Sequence, residues 1–247
     1  MSDSQAIRLS HVDAGYPGAT VLHDVTFSVA KGEIFALLGG SGCGKSTVMK
    51  HIIALNPPLA GDITVAGLRL CESNREAIWR KIGVMYQSGA LFGSMTCGEN
   101  VELPLCEFTR LGRADRASRV EALLEAVGLA DARDKMPSEI SGGMRKRVAI
   151  ARAMALEPEI IFLDEPSAGL DPVTSNALDE LILKLRETKG VTFVMVTHEL
   201  PSIFKVVDRC AMFDRARRAM VALGRPAELR DGSSDPFVRE FFNRGGK

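Results

Sequence analysis

A glycine-rich octapeptide lies between an apolar run and a helical segment and limits the folds open to this chain. Residues 39–46 read Gly-Gly-Ser-Gly-Cys-Gly-Lys-Ser and match the pattern GxxxxGK[ST] in full. The preceding run, Glu33–Leu38, is typical of a fully buried strand. A helix is expected from the loop to about Leu55, because Pro57-Pro58 prevents its continuation. This strand–loop–helix unit predicts an α/β protein with a phosphate-binding loop.

The residue types in the loop suit phosphate chemistry. Glycines let backbone N–H groups point into one concavity, where they and the helix N-terminus bind phosphate oxygens. Lys45 adds a cation for the β- and γ-phosphates, and the Ser46 hydroxyl can ligate Mg²⁺. The alternative is a glycine-rich turn followed by a surface lysine. The candidate nucleotide contacts here are Gly39, Gly40, Ser41, Gly42, Cys43, Gly44, Lys45, Ser46 and Thr47.

A second buried strand, Ile160–Leu163, ends in the acids Asp164 and Glu165. Ligands of open α/β sheets bind at the carboxyl ends of the strands, so we expect these acids beside the loop. Asp164 suits the Mg²⁺ shell, and Glu165 can accept a proton from an attacking water. Taken alone, two acids after a strand are more often a solvated strand end than a catalytic pair. The phosphate loop upstream reverses this preference and favours the catalytic pair.

The rest of the pattern predicts the architecture. Alternating apolar residues in the first forty positions indicate antiparallel strands, whereas apolar runs at 82–86 and 191–196 indicate buried parallel strands. Helical periodicity predicts a helical insert over about 88–150. We therefore expect one α/β domain over 1–247. It would combine a mostly parallel core sheet, an antiparallel β subdomain, the helical insert and a short C-terminal helical tail over about 226–247.

Composition and charge limit the classes of partner. Lys plus Arg and Asp plus Glu both number 31, so a basic field over the whole protein is absent and no nucleic-acid partner is expected. No apolar run approaches the ~18 residues of a spanning helix, and Met1–Gln5 lacks the features of a secretory leader. Five scattered cysteines indicate reduced thiols. These features predict a soluble, cytoplasmic protein.

Several further motifs, in order along the chain, resemble those of the ABC ATPases. Ser141-Gly142-Gly143 opens a helix and resembles the signature motif, although Met144 stands where the family usually has glutamine. Residues 167–171 resemble the D-loop. The resemblance covers nearly the whole chain. The remaining matches are Tyr16, where an aromatic stacks on adenine, Gln87, which resembles the Q-loop glutamine, and His198, which resembles the switch histidine.

The resemblance implies the fold of an ABC-type P-loop ATPase, with ATP and Mg²⁺ as cofactors. It assigns catalytic roles to Lys45, Glu165 and His198. It implies that the signature serine and glycines bind the γ-phosphate held by a second copy of the ATPase, so that two copies dimerise around two ATP. The implied metal contacts are Ser46, Gln87 and Asp164.

Missing features favour a transporter subunit over other branches of the family. The chain lacks zinc-binding cysteine clusters, a long coiled coil and a second set of motifs. The implied partner is a separate integral membrane permease, which would hold the chain at the cytoplasmic side of the inner membrane. Gln87–Phe92, Met144 and Asp235–Phe242 resemble phospholipid-trafficking ATPases of the Mla/Mce type. That likeness implies an Mce-domain lipid-binding protein and a small STAS-domain regulator as further partners.

Two alternatives stay open. One is the ATPase of an importer for another small solute, and the other is a nucleotide-gated ABC ATPase without a transport role. A wide exposed basic stripe around residues 145–147, Arg-Lys-Arg, would favour the second. We interpret these residues instead as cations that a signature helix places near bound phosphate, or as a solvated face.

Overall fold

In a computed structural model that describes residues 4–243, ten strands form one sheet in the order β5-β4-β1-β2-β10-β9-β3-β8-β7-β6. The predicted α/β class, with a mostly parallel core and an antiparallel part, is confirmed. The strands are β1 (Gln5–Tyr16), β2 (Ala19–Ala30), β3 (Ile34–Gly39), β4 (Ala60–Val65), β5 (Leu68–Arg69), β6 (Ile82–Met85), β7 (Ile160–Asp164), β8 (Thr192–Val196), β9 (Arg209–Asp214) and β10 (Ala219–Gly224).

Helices cover both faces of this sheet, as its apolar strands require. The helices in the described range are α1 (Lys45–Ile52), α2 (Arg75–Trp79), α3 (Cys97–Phe108), α4 (Arg113–Ala126), α5 (Gly142–Ala153), α6 (Pro172–Lys189), α7 (Leu200–Val206), α8 (Pro226–Gly232) and α9 (Pro236–Asn243). Thus α3 to α5 lie where the helical insert is predicted, and α8 and α9 lie in the predicted tail.

The centre of the sheet consists of buried parallel strands that end at one level. Every residue of β3 is buried, and β3 lies between β8 and β9. Leu37 is paired with Val196, and Val196 with Asp164 on the far side. Because parallel strands deliver their carboxyl ends to the same edge, the loops after β3, β7 and β8 come together there.

The antiparallel strands form a separate arm of the sheet. β1 pairs with β2 and β4, and β4 pairs with β5. A single parallel pairing, Ala219 with His23, joins β2 to β10 and so joins the arm to the core. The arm packs with α1 in a hydrophobic cluster on one face, which supports the phosphate loop from below.

Some sequence-based expectations fall at the ends of the chain. The structure does not describe residues 1–3, which belong to the segment without leader features. It also does not describe residues 244–247, the end of the predicted tail. Between residues 4 and 243, no helix combines the length and apolar character needed to cross a bilayer. The five cysteines all lie in this range, and none of them is in a disulfide there.

Candidate nucleotide site

A cleft of about 550 Å³ opens at the edge where β3, β7 and β8 end. It brings together loop glycines, a lysine, two serines, two acids, a glutamine and a histidine from distant parts of the sequence. The cleft is lined by Gly39, Gly40, Ser41, Gly42, Lys45, Ser46, Gln87, Asp164, Glu165, Val196, His198, Leu200 and Phe241.

The phosphate loop is shaped by glycines that no other residue could replace without strain. Gly39 has φ 141°, and a Cβ added there would lie 2.4 Å from the carbonyl oxygen of Phe213. Gly44 has φ 106° at the start of α1. Lys45 folds back over this loop, with its Nζ donating to the carbonyls of Gly39 at 2.9 Å and Gly40 at 3.0 Å. The ammonium group is therefore held inside the concavity in which phosphate oxygens would bind.

Glu165 is held in one position by several contacts. Its backbone adopts a left-handed φ of 48°, which is unusual for a residue other than glycine and indicates a constrained site. Its N–H donates to the carbonyl of Val196 at 2.8 Å. Its Oε1 lies 2.9 Å from Nδ1 of His198, whereas its Oε2 is buried and has no hydrogen-bond partner among residues 4–243. A carboxylate side chain that lines the cleft is the type of group that can accept a proton from water.

The oxygen donors of the cleft fit a small hard cation. Ser46 contributes a hydroxyl, Gln87 an amide and Asp164 a carboxylate, and oxygen ligands are those that Mg²⁺ prefers. Burial, together with the neighbouring Glu165, raises the pKa of Asp164, while Lys146 and Lys45 act in the opposite direction. Mg²⁺ bound there would neutralise charge on phosphate oxygens. The donor set therefore agrees with the metal contacts that the resemblance implies.

Some predicted contacts do not line this cleft. Cys43 and Thr47 are buried beneath it, and Gly44 lies at the start of α1. Tyr16 is 42% exposed at the end of β1, so its role in stacking on adenine stays a prediction. The predicted signature residues lie at the start of α5 and are absent from the cleft lining, so their contact with a nucleotide also stays a prediction.

Three apolar residues of the lining had not been predicted. Val196 ends β8, Leu200 begins α7, and Phe241 comes from α9. Val196 could have been found from its place at the carboxyl end of a buried strand. No local sequence pattern identifies Phe241, because its position depends on how α9 folds back onto the core.

The basic residues of α5 do not form an exposed stripe, so the interpretation of a solvated face is wrong. Lys146 is buried, and Arg145 and Arg147 are half-buried. Arg145 donates to the carbonyl of Ile140 at 2.8 Å, and Arg147 donates to that of Val127 at 3.3 Å. These cations satisfy main-chain carbonyls.

The start of α5 is a tightly packed helix N-terminus. The Ser141 side chain accepts a hydrogen bond from the N–H of Met144 at 3.2 Å, which caps the helix. Gly143 lies against α6, where an added Cβ would be only 2.4 Å from Cγ2 of Thr174. The second glycine of the motif is therefore required by close packing.

This close packing predicts the effect of a methyl group at position 143. We expect Gly143→Ala to lower stability by about 1–3 kcal/mol, the usual effect of overpacking, as measured by denaturant unfolding. Thr174→Ser removes Cγ2 and keeps the hydroxyl that donates to Asp171. The double variant should therefore recover most of the lost stability. Equal stability of Gly143→Ala and the unchanged protein would contradict this packing argument.

The ABC transporter family model matches residues 22–168, which is more than half of the chain. The chain belongs to the ABC transporter family. The match begins in β2, includes the phosphate loop and the start of α5, and ends just after the two acids.

Two relatives in this family are named for the transport of different substrates. The methionine import ATP-binding protein MetN of Cupriavidus metallidurans is 40% identical over 215 residues, which cover 84% of this chain and 62% of that protein. The probable ribonucleotide transport ATP-binding protein mkl of Mycobacterium leprae is 37% identical over 241 residues, 96% of this chain and 69% of that protein. The chain thus spans less than two thirds of the length of the methionine relative.

Solved structures of ABC family members share the fold. The structure of cbiO1 from Clostridium perfringens, described as part of the ABC transporter complex cbiONQ, has a TM-score of 0.85 and 25% identity, covering 93% of this chain and 92% of that one. A dimeric post-hydrolysis state of the ATP-binding cassette MJ0796, bound to ADP and Pi, has a TM-score of 0.79 and 30% identity, covering 89% and 98%. The predicted ABC ATPase fold is confirmed.

Proposed function

We propose that this chain is the ATP-hydrolysing subunit of an ABC transporter, which dimerises around two ATP and drives a separate permease. The observation that carries the proposal is the position of Glu165, paired with His198, in the same cleft as the phosphate loop. A cleft of about 550 Å³ is in the ordinary size range for a small-molecule site.

The residues of the cleft have distinct roles in this proposal. Lys45 and the loop amides bind the β- and γ-phosphates. The carboxylate of Glu165 accepts the proton of the attacking water, and His198 contacts Oε1 so that the carboxylate keeps its orientation. Gln87, Ser46 and Asp164 hold the metal ion.

Dimerisation explains why the signature motif does not reach the cleft of its own chain. The Ser141 hydroxyl and the amides at the start of α5 would bind the γ-phosphate of a second copy. Support comes from MJ0796, whose structure is described as dimeric and bound to ADP and Pi.

Exposed aromatic residues beside Gln87 support a permease partner. Phe92 is 51% exposed and Tyr86 is 37% exposed, on either side of the loop that carries this glutamine. The related protein cbiO1 is part of an ABC transporter complex, cbiONQ. We therefore assign the chain to the cytoplasmic side of the inner membrane, bound there through the permease.

For the cargo, we propose phospholipid trafficking between bacterial membranes. The support is the likeness of Gln87–Phe92, Met144 and the tail Asp235–Phe242 to the Mla/Mce type, which also suggests an Mce-domain protein and a STAS-domain regulator as partners. A second candidate, import of a small solute, is favoured by the methionine import relative at 40% identity. A nucleic-acid role has less support, because the cations of α5 are engaged by carbonyls.

Copurification with the permease tests the cargo. Co-expression with a permease encoded next to this chain should yield a membrane complex that contains phospholipid, measured by mass spectrometry of extracted lipid. Its ATPase rate should rise several-fold with an Mce-domain protein, because the permease and its partners contact the cargo. The control is the same complex with Glu165→Gln, which should retain lipid without turnover. A lipid-free complex whose ATPase responds to an amino-acid-binding protein would establish the importer instead.

A further inference from the structure

Lys146 is a buried cation on α5 that the roles described above do not use. Its side chain is only 6% exposed, and it follows Gly143 by one helical turn on the buried face of the helix. A lysine at such a position is rare unless its ammonium group is paired.

The ammonium group of Lys146 joins two parts of the cleft through their main chains. Its Nζ donates to the carbonyl of Gln87 and, at 3.1 Å, to the carbonyl of Glu165. These residues follow β6 and β7, which are neighbouring strands. One side chain therefore ties α5 to the backbones of the glutamine and of the catalytic base.

The backbone of Glu165 is thereby fixed on both sides. Its N–H donates to Val196, and its carbonyl accepts from Lys146, while its φ of 48° is one that a non-glycine residue rarely keeps without such contacts. These two main-chain hydrogen bonds hold the backbone of Glu165 without a contact between its carboxylate and Lys146.

A second residue of α5 holds the same loop. The guanidinium of Arg152 donates to the carbonyls of Gly89 at 2.8 Å and Ala90 at 2.7 Å. Lys146 and Arg152 thus both attach the loop after β6 to α5. Of these two residues, Lys146 alone also donates to Glu165.

The surroundings of Lys146 explain why a cation is retained there. Asp164 and Glu165 are the acids near its ammonium group, and their charges oppose the effect of burial, which lowers the pKa of Lys146. Two carbonyls and two nearby carboxylates make a strongly electronegative pocket, which an apolar side chain of equal length would leave uncompensated.

We infer that Lys146 is a positioning residue for hydrolysis, which fixes Glu165 relative to Gln87 and couples both to the signature helix α5. The inference rests on the proposed ATPase function. In a dimer, the same helix would contact the nucleotide of the second copy. A displacement of α5 would therefore be transmitted through Lys146 to the base of its own cleft.

Lys146→Met tests the inference, because methionine has a similar length and no donor. We expect kcat for ATP hydrolysis to fall about 10- to 100-fold, as small misplacements of catalytic groups do. The KM for ATP, the ATP affinity and the binding stoichiometry should stay within about twofold, because the phosphate loop is untouched. Lys146→Arg keeps the charge and the donors, so its kcat should be at least threefold higher than that of Lys146→Met. Lys184→Met, an exposed lysine on α6, is the matched control and should leave kcat unchanged.

The outcomes separate this inference from the proposed function. Absence of ATP hydrolysis by the unchanged protein with its permease would refute the ATPase proposal itself. If Lys146→Met hydrolyses ATP with the original kcat, only the role of Lys146 is overturned. The same holds if the ATP-binding stoichiometry falls in parallel with kcat. If Lys146→Met does not fold, Lys146→Gln replaces it. Its shorter amide cannot span both carbonyls, so an unchanged kcat would again overturn the inference.

Discussion

Glu165→Gln is expected to lower kcat for ATP hydrolysis by about 10²–10⁴-fold, the usual effect of losing a general base. Glutamine keeps the shape of the side chain and an oxygen that can face His198, but its amide cannot take the proton that the carboxylate would accept. ATP affinity should change by less than a few-fold, because Lys45 and the loop amides remain. Steady-state kinetics and equilibrium ATP binding measure the two quantities separately.

The same variant also tests dimerisation. Without hydrolysis, ATP should hold two copies together, and size-exclusion chromatography with ATP should show a dimer that disappears with ADP. Glu159→Gln, at a half-exposed acid just before β7, is the matched control and should behave like the unchanged protein. Turnover of Glu165→Gln within a few-fold of the original would remove Glu165 from the role of base.

Lys45→Ala is expected to reduce both binding and hydrolysis. The substitution removes the ammonium group that lies over the loop carbonyls of Gly39 and Gly40 and that would face the phosphates. A hydrogen bond to a charged group contributes about 1.5–3 kcal/mol, so the Kd for ATP should rise roughly 10- to 150-fold. Titration calorimetry measures the Kd directly.

The contrast between the two variants identifies the phosphate site. Glu165→Gln should change kcat alone, whereas Lys45→Ala should change kcat and Kd together. Lys31→Ala removes an exposed lysine outside the cleft and serves as the control. An unchanged Kd in Lys45→Ala would mean that this loop does not bind the phosphates.

The central strands and the acids at their ends could be predicted because their patterns are local. An apolar run such as Ile160–Leu163 is typical of a buried strand, and the parallel arrangement then places Asp164 and Glu165 beside the phosphate loop. Helix ends were less exact: α1 ends at Ile52 rather than near Leu55, because Ala54 adopts a positive φ of 60° that breaks the helix.

Other features depend on contacts between distant residues, which no local pattern encodes. Strands β9 and β10, of which β10 joins the core to the arm of the sheet through one pairing, were not predicted. The role of Lys146 was also missed, although its helical spacing from Gly143 places it on the buried face of α5. Its carbonyl partner in Gln87 lies 59 residues earlier in the sequence, so only the fold reveals the contact.

The presence of Phe241 in the cleft wall has a consequence for biosynthesis. A ribosome produces the phosphate loop early and α9 late, so the nascent polypeptide has an incomplete cleft until α9 has been translated. A ligand stabilises a protein only through the state that binds it. The earlier segments can bury their apolar strands while the ribosome is still at work, and the wall that Phe241 supplies is added to the cleft only after α9 has emerged.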